Sequence, residues 1–285
     1  MRRLLVIGSV AGAPGVTTTA LALAAAWPIE RDGSVRPVMV EADGSGGDLM
    51  IRFGLGPSPS LLDVAAAAGQ PQPGSLLGAV RELPSGVRVV ASVPGRGPCS
   101  EAVRLVASHG GRRVLLGEEH DIGTVIVDVG RICADVEPLL TEADELVLVT
   151  RGGPEALTQV AACGLDEKLR ADGLTLLVVG PCPYPAEEIA QVLSVERVVL
   201  WPWDAKSAAA VSCSGPRPPR TSGWRVPRLI GAARSLAEQL AVSADGLVSL
   251  AAGASGTGLG DSRTPLAGRM RVGLAGAPRE EGSAT

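Results

Sequence analysis

Residues 9 to 20, Ser-Val-Ala-Gly-Ala-Pro-Gly-Val-Thr-Thr-Thr-Ala, carry the clearest chemical signal in the chain. They follow the apolar run Leu4-Leu5-Val6-Ile7-Gly8 and precede a second one, Leu21 to Trp27. Strand, glycine-rich loop and helix in that order is the context a phosphate-binding loop requires. Gly12 and Gly15 let the backbone turn tightly, with Ala13, Pro14 and Val16 filling the loop around them. The amides of Gly15 to Thr18 then stand at a helix N-terminus and point at an anion. Thr17 and Thr18 take the hydroxyl positions suited to a magnesium ion. Such a loop ordinarily ends in Gly-Lys-Ser/Thr, and here the lysine position is Val16. The chain's two lysines, Lys168 and Lys206, lie far away in sequence.

A loop of this kind works only at the rim of a sheet, so the neighbouring strands decide its surroundings. A short apolar strand over Arg36 to Val40 runs into Glu41-Ala42-Asp43-Gly44. Thr124-Val125-Ile126-Val127-Asp128, the clearest buried strand, ends in an aspartate before Val129-Gly130. Acids at strand C-termini lie where ligands bind in open parallel sheets. The segment after Val40 reads equally well as an ordinary turn rich in Asp and Gly.

Further strands are expected at Val87–Ala91, Leu146–Thr150, Leu174–Val179 and Arg197–Leu200. Helices are expected at Thr18–Trp27, Leu61–Ala68, Leu76–Leu83, Glu101–Ser108, Glu137–Thr141, Pro154–Ala162, Ala186–Leu193, Ala205–Ser212 and Val226–Leu240. Strands alternate with helices, and the strand runs are continuously apolar. Both features imply a mostly parallel sheet covered by helices on both faces, an α/β domain over residues 1–240. Residues 241–285 turn rich in Gly, Ser and Ala and are expected to be a disordered tail.

Hydrophobic residues make up 46% of the chain and aromatics 2%, so the core must be built from Ala, Val and Leu. A net charge of −4 argues against a broad nucleic-acid surface, though not against a local basic patch. The five cysteines are scattered and there are two histidines, which makes a zinc cluster improbable and fits a reducing cytosol. The N-terminal apolar run is read as the first strand rather than a signal peptide. No apolar stretch approaches the roughly 20 residues of a membrane span.

Three elements together, the loop at residues 10–18, the strand end at Glu41 and Asp43, and the strand end at Asp128, resemble the ParA/MinD family of ATPases, whose P-loop (Walker A) is deviant. The resemblance continues through Ala143-Asp144 and the strand to Thr150, then Pro154-Glu155, then Pro202-Trp203-Asp204 with its small-residue helix, about residues 1–240 in all. It implies a P-loop NTPase-like fold, ATP and Mg2+ as ligands, a nucleotide-sandwich homodimer and protein partners. It also implies roles for single residues. Gly12, Ala13, Pro14, Gly15, Val16, Thr17 and Thr18 would bind nucleotide. Thr17 and Asp128 would hold Mg2+ and its water. Glu41 and Asp43, with Asp128, would orient an attacking water.

The departures bear on activity. The family loop reads Lys-Gly-Gly-x-Gly-Lys-Thr-Thr, and here Ala11 and Val16 replace both lysines. One of these grips the phosphates, and the other reaches the partner's nucleotide. Losing two charged hydrogen bonds would weaken nucleotide affinity by roughly a hundredfold to ten-thousandfold. Losing a finger-like cation would slow transfer by about 10³–10⁵. Val179-Gly180-Pro181 stands where an Asn-Arg pair near the adenine is usual. Arg131 and Arg151, each following a strand end on the same rim, are the candidates for replacement charge. Within the family, the TadZ/CpaE branch, which places pilus or secretion machinery at the cell pole, also tends towards unusual loops. It commonly carries a receiver-like N-terminal domain, which does not precede the loop strand here. The expectation is therefore a cytoplasmic positioning or scaffolding protein with impaired hydrolysis, brought to a membrane through partners. The alternative is an active partitioning or division-site ATPase.

Overall fold

The computed structural model describes residues 1–12, 15–70, 74–164, 173–212 and 228–254, with side chains described up to 241. Eight strands form one sheet: β1 (Arg3–Ser9), β2 (Val38–Glu41), β3 (Arg81–Glu82), β4 (Arg88–Val90), β5 (Thr124–Arg131), β6 (Glu145–Arg151), β7 (Leu174–Val179) and β8 (Arg197–Trp201). Their order is β3-β4-β2-β5-β1-β6-β7-β8. Every pairing is parallel except β3 with β4 at the edge. The chain fills one side of β1 with β2, β4 and β5, then crosses to β6 on the other. That reversal opens a crevice at the C-terminal end of β1, where doubly wound sheets take their ligands.

Ten helices are described: α1 (Val16–Ala26), α2 (Leu49–Phe53), α3 (Leu61–Ala68), α4 (Arg96–Ala107), α5 (His109–Leu116), α6 (Glu137–Glu142), α7 (Pro154–Ala162), α8 (Ala186–Leu193), α9 (Ala205–Ser212) and α10 (Arg228–Ala254). Alternate residues of each strand serve opposite faces of the sheet. Leu4, Val6, Val125 and Val127 join one buried cluster with α3, α4 and α5. Leu5, Ile7, Ile126 and Val147 join another with α1 and the Leu229-Ala233-Leu236-Leu240 stripe of α10. The continuously apolar strands follow from this double coverage. α1 has the same origin: its consecutive Ala20, Leu21, Ala22 and Leu23 are all buried, as befits a helix packed on several sides.

Several boundaries differ from the sequence reading. Leu76 to Leu83 is not a helix: a 3-10 turn over Leu76–Ala79 gives way to β3, which pairs with β4. α4 starts five residues early, at Arg96, because Pro98 in its first turn forfeits no helical hydrogen bond. α2 and α5 were not anticipated. α10 runs beyond Leu240 to Ala254, and residues 255–285 of the expected tail lie outside the described residues. The chain divides into two units, Met1–Gly246, which holds the sheet, and Leu247–Thr285, in which 247–254 are helical.

Candidate nucleotide site at the rim of the sheet

The loop between β1 and α1 turns on two glycines with positive φ, Gly12 at 66° and Gly15 at 100°. Both angles lie in the region that side chains other than glycine's rarely adopt. Ala13 and Pro14 lie outside the described residues. Gly15 caps α1: its carbonyl accepts the Thr19 amide at 2.7 Å. The helix has no acidic residue in its first turn and no side-chain cap, so its leading amides keep their affinity for an anion. Val16 is 5% exposed and packs into the sheet-facing cluster of Leu5 and Ile7. Its side chain is part of the core rather than of the loop's mouth. Thr17 is half-buried, and Thr18 Oγ1 lies 3.4 Å from Ser212 Oγ on α9.

Asp128 stands on β5, the strand beside β1, and is fully buried. Its Oδ1 accepts the Gly130 amide at 2.9 Å, while Oδ2 has no hydrogen-bond partner among the described residues. Burial pushes its carboxyl up to about 6; the Thr17 hydroxyl and the Gly130 amide pull it down, and the charges of Asp43 and Asp48 add to the rise. The Asp128 carboxylate and the Thr17 hydroxyl that interacts with it are oxygen donors of the kind that the shell of a hydrated Mg2+ takes. Gly12, Gly15 and the first turn of α1 thus stand at the strand ends beside Asp128, and positions 11 and 16 carry no charge.

Glu41 does something the sequence did not reveal. Its Oε1 accepts the amides of Asp48 at 2.9 Å and Leu49 at 3.2 Å, and its Oε2 accepts that of Ser92 at 2.9 Å. Burial nevertheless raises it to about 7, against the pull of those amides and with help from the Asp128 charge. This carboxylate holds two loops together, and Gly47 lies so close that a Cβ there would meet Oε2 at 2.6 Å. Asp43 instead accepts the Ser45 amide at 2.8 Å and the Ser45 hydroxyl at 2.7 Å, and its other oxygen faces Gly130. Glu41 is the register partner of Asp128 and Asp43 follows two residues on, so the three acids gather at the same strand ends. Cys99, overlooked in the sequence because it stands alone, donates to the Asp43 carbonyl at 3.1 Å and contacts Ser92 Oγ. No group of three or more acids, histidines or cysteines among the described residues is placed to hold a metal by itself.

On the other side of the loop opens a cleft of about 660 Å³. Val10, Ala11 and Gly12 form one wall, and Arg151, Glu155 and Trp203 stand among the others. The Arg151 guanidinium lies 5.6 Å from the Trp203 ring centroid, and the ring is 58% exposed. Asp204 of the Pro-Trp-Asp segment caps α9, accepting the Ser207 amide at 3.0 Å and holding its own carboxyl below the usual range through the Ser207 hydrogen bonds.

No family model matches this sequence, and no curated protein is similar to it in sequence. Solved structures are similar in fold. The septum site-determining protein MinD from Pyrococcus horikoshii, complexed with Mg-ADP, superposes with a TM-score of 0.62 at 17% identity, covering 84% of this chain and 96% of that one. A ParA family ATPase from Chlorobium tepidum gives 0.56 at 18% identity, covering 84% and 98%. A chain of the MinC:MinD cell division protein complex of Aquifex aeolicus gives 0.56 at 16% identity, covering 82% and 95%. With its order of strands, its loop after β1 and its acidic strand ends, the chain has the fold shared by the MinD and ParA ATPases.

Proposed function

We propose that this protein is a MinD/ParA-like positioning or scaffolding factor whose degenerate Walker A loop binds nucleotide weakly and hydrolyses it slowly or not at all. The observation that carries this reading is the burial of Val16 in the core at the position of the loop lysine. A second supports it: Glu41 is occupied by three backbone amides, so one acid of the expected water-orienting pair is engaged elsewhere. If nucleotide binds, the first-turn amides of α1 and Gly15 would hold its phosphates, and Thr17 and Asp128 would hold Mg2+ and its water. The metal would neutralise phosphate charge there. The role is then recruitment of protein partners, with a homodimer as the working form and a Tad/Flp pilus or secretion machinery as the setting. The Aquifex MinD was solved in complex with the protein MinC, which shows the fold used in this way. No described helix is long and apolar enough to cross a membrane.

The unpartnered Oδ2 of Asp128 favours a second reading, an active ATPase of the partitioning or division-site kind. Titration with fluorescent ATP in the presence of Mg2+, alongside a phosphate-release assay, separates the two. Weak binding without turnover is expected. Micromolar binding with turnover abolished by Asp128→Ala would overturn the scaffolding reading.

A further inference from the structure

Two arginines flank the loop from opposite sides of β1, and neither makes an ion pair among the described residues. Arg131 ends β5 and pairs in register with Ser9. Its Nε donates to the Val10 carbonyl at 3.2 Å, which ties the guanidinium to the residue that opens the loop. Arg151 ends β6, the strand on the other side. Gly8 pairs with Leu148. β1 ends at Ser9 and turns into the loop, while β6 runs on to Arg151. Arg151 is also the cation among the residues that line the cleft with Val10, Ala11 and Gly12. Its contact with the face of Trp203 holds the side chain over that cleft.

We propose that Arg131 and Arg151 are the phosphate-binding cations of this nucleotide site, acting from the two strands that flank the loop in place of the lysines missing within it. The proposal rests on the reading above that the site still takes a nucleotide. Guanidinium suits the task, because its fork of donors matches two phosphate oxygens at once. Its position differs from that of a loop lysine. A loop lysine reaches the phosphates from the helix, whereas these two side chains close on them from the sheet side. Arg131 reaches the loop at the Val10 carbonyl from β5, and Arg151 shares a cleft with Val10 to Gly12 from β6, so a polyphosphate at the loop would meet a cation from each flanking strand. Both side chains are exposed, so they are free to move onto an incoming anion. Arg151 would then leave the Trp203 ring.

Displacement of fluorescent ATP by MgATP and by inorganic tripolyphosphate tests the proposal in the full-length protein. Arg131→Ala and Arg151→Ala should each weaken both ligands about tenfold or more, and the double variant about a hundredfold or more. Arg151→Lys should recover part of the loss, since it keeps the charge without the fork. MgATP should also change tryptophan emission in the wild type and not in Trp203→Phe. Thermal melting of each variant should match the wild type, which separates a lost contact from a lost fold. The proposal is overturned if the wild type binds MgATP and neither arginine variant weakens it. It is overturned if tripolyphosphate binding is unaffected, or if the wild type binds no MgATP at millimolar concentration. The last result leaves the scaffolding reading standing. Rapid turnover that depends on Asp128 overturns that reading instead and leaves the arginine assignment intact.

Discussion

Glu41 Oε2 accepts the backbone amide of Ser92 at 2.9 Å, joining the end of β2 to the segment that leaves β4. The other oxygen of the same carboxylate accepts the two amides that open α2. An acid whose position implied work on water thus carries a structural load. Glu41→Gln keeps the shape but turns an amide NH2 towards a backbone N–H, so one donor loses its acceptor. The variant should be less stable by about 1–3 kcal/mol in urea denaturation at pH 6, and the difference should narrow above about pH 7, where the wild type must hold a buried charge. If Glu41 served only to orient water, the substitution would leave stability unchanged.

Asp128 makes the opposite prediction. Its carboxyl is raised from 3.8 to about 6 by burial, so the folded state holds a proton that the unfolded state has released between those values. Stability from this group is therefore full below about pH 4 and is lost as pH rises through about 6. Asp128→Asn removes the buried charge while keeping an acceptor for the Gly130 amide. Melting curves should show the variant stabilised at pH 8, by up to about 3 kcal/mol, and little changed at pH 4. A variant destabilised equally at both pH values would show that the carboxylate is paired in the folded protein.

Much of this architecture is legible in the sequence. β5 and β6 are continuously apolar because helices cover both faces of the sheet, and α3, α7, α8 and α9 fall on the ranges read from the sequence. β3 was not legible, because two residues paired to an edge strand leave no periodicity. α5 begins His109-Gly110-Gly111, a poor helix start by propensity, and is held by packing against α3 and α4. At the site, the loop and the aspartate were visible as types in order. The amide bonds of Glu41 and the place of Arg151 in one cleft with Ala11 were not, because both depend on which strands become neighbours. Arg131 and Arg151 could be named as cations on the rim, but sheet order alone puts β5 and β6 on either side of β1.

Gly47 tests how tightly the loop after β2 is held. A Cβ at this residue would meet Glu41 Oε2 and Ser92 Cβ at 2.6 Å and the Ser92 carbonyl oxygen at 2.8 Å. Two of these are atoms that the Glu41 network fixes in place, so relief requires breaking a bond to Glu41 or shifting Ser92. Gly47→Ala should cost about 1–3 kcal/mol, as other overpacked sites do. Gly12→Ala also places a side chain at positive φ, but a Cβ there meets nothing within 4 Å. Its cost should be confined to backbone strain, about 1–2 kcal/mol. Denaturation midpoints of the two variants, compared side by side, check the ordering.

Val16 offers the most direct trial of the degenerate loop. Its side chain packs with Leu5 and Ile7, so Val16→Lys removes apolar contact from the core and must carry an ammonium outward past it. The expected stability loss is about 1–3 kcal/mol. The same lysine, once outside, would stand at the N-terminus of α1 beside the amides that face an anion. A charged hydrogen bond to phosphate is worth about 1.5–3 kcal/mol, or roughly a tenfold to hundredfold gain in MgATP affinity. Loss of stability together with tighter MgATP binding is therefore expected, and calorimetric titration beside a thermal melt measures both. Tighter binding would show that the loop kept its backbone geometry and lost only its cation. Unchanged affinity in a folded variant would mean that the loop no longer presents its amides to a phosphate, and the scaffold role would then have to stand without nucleotide.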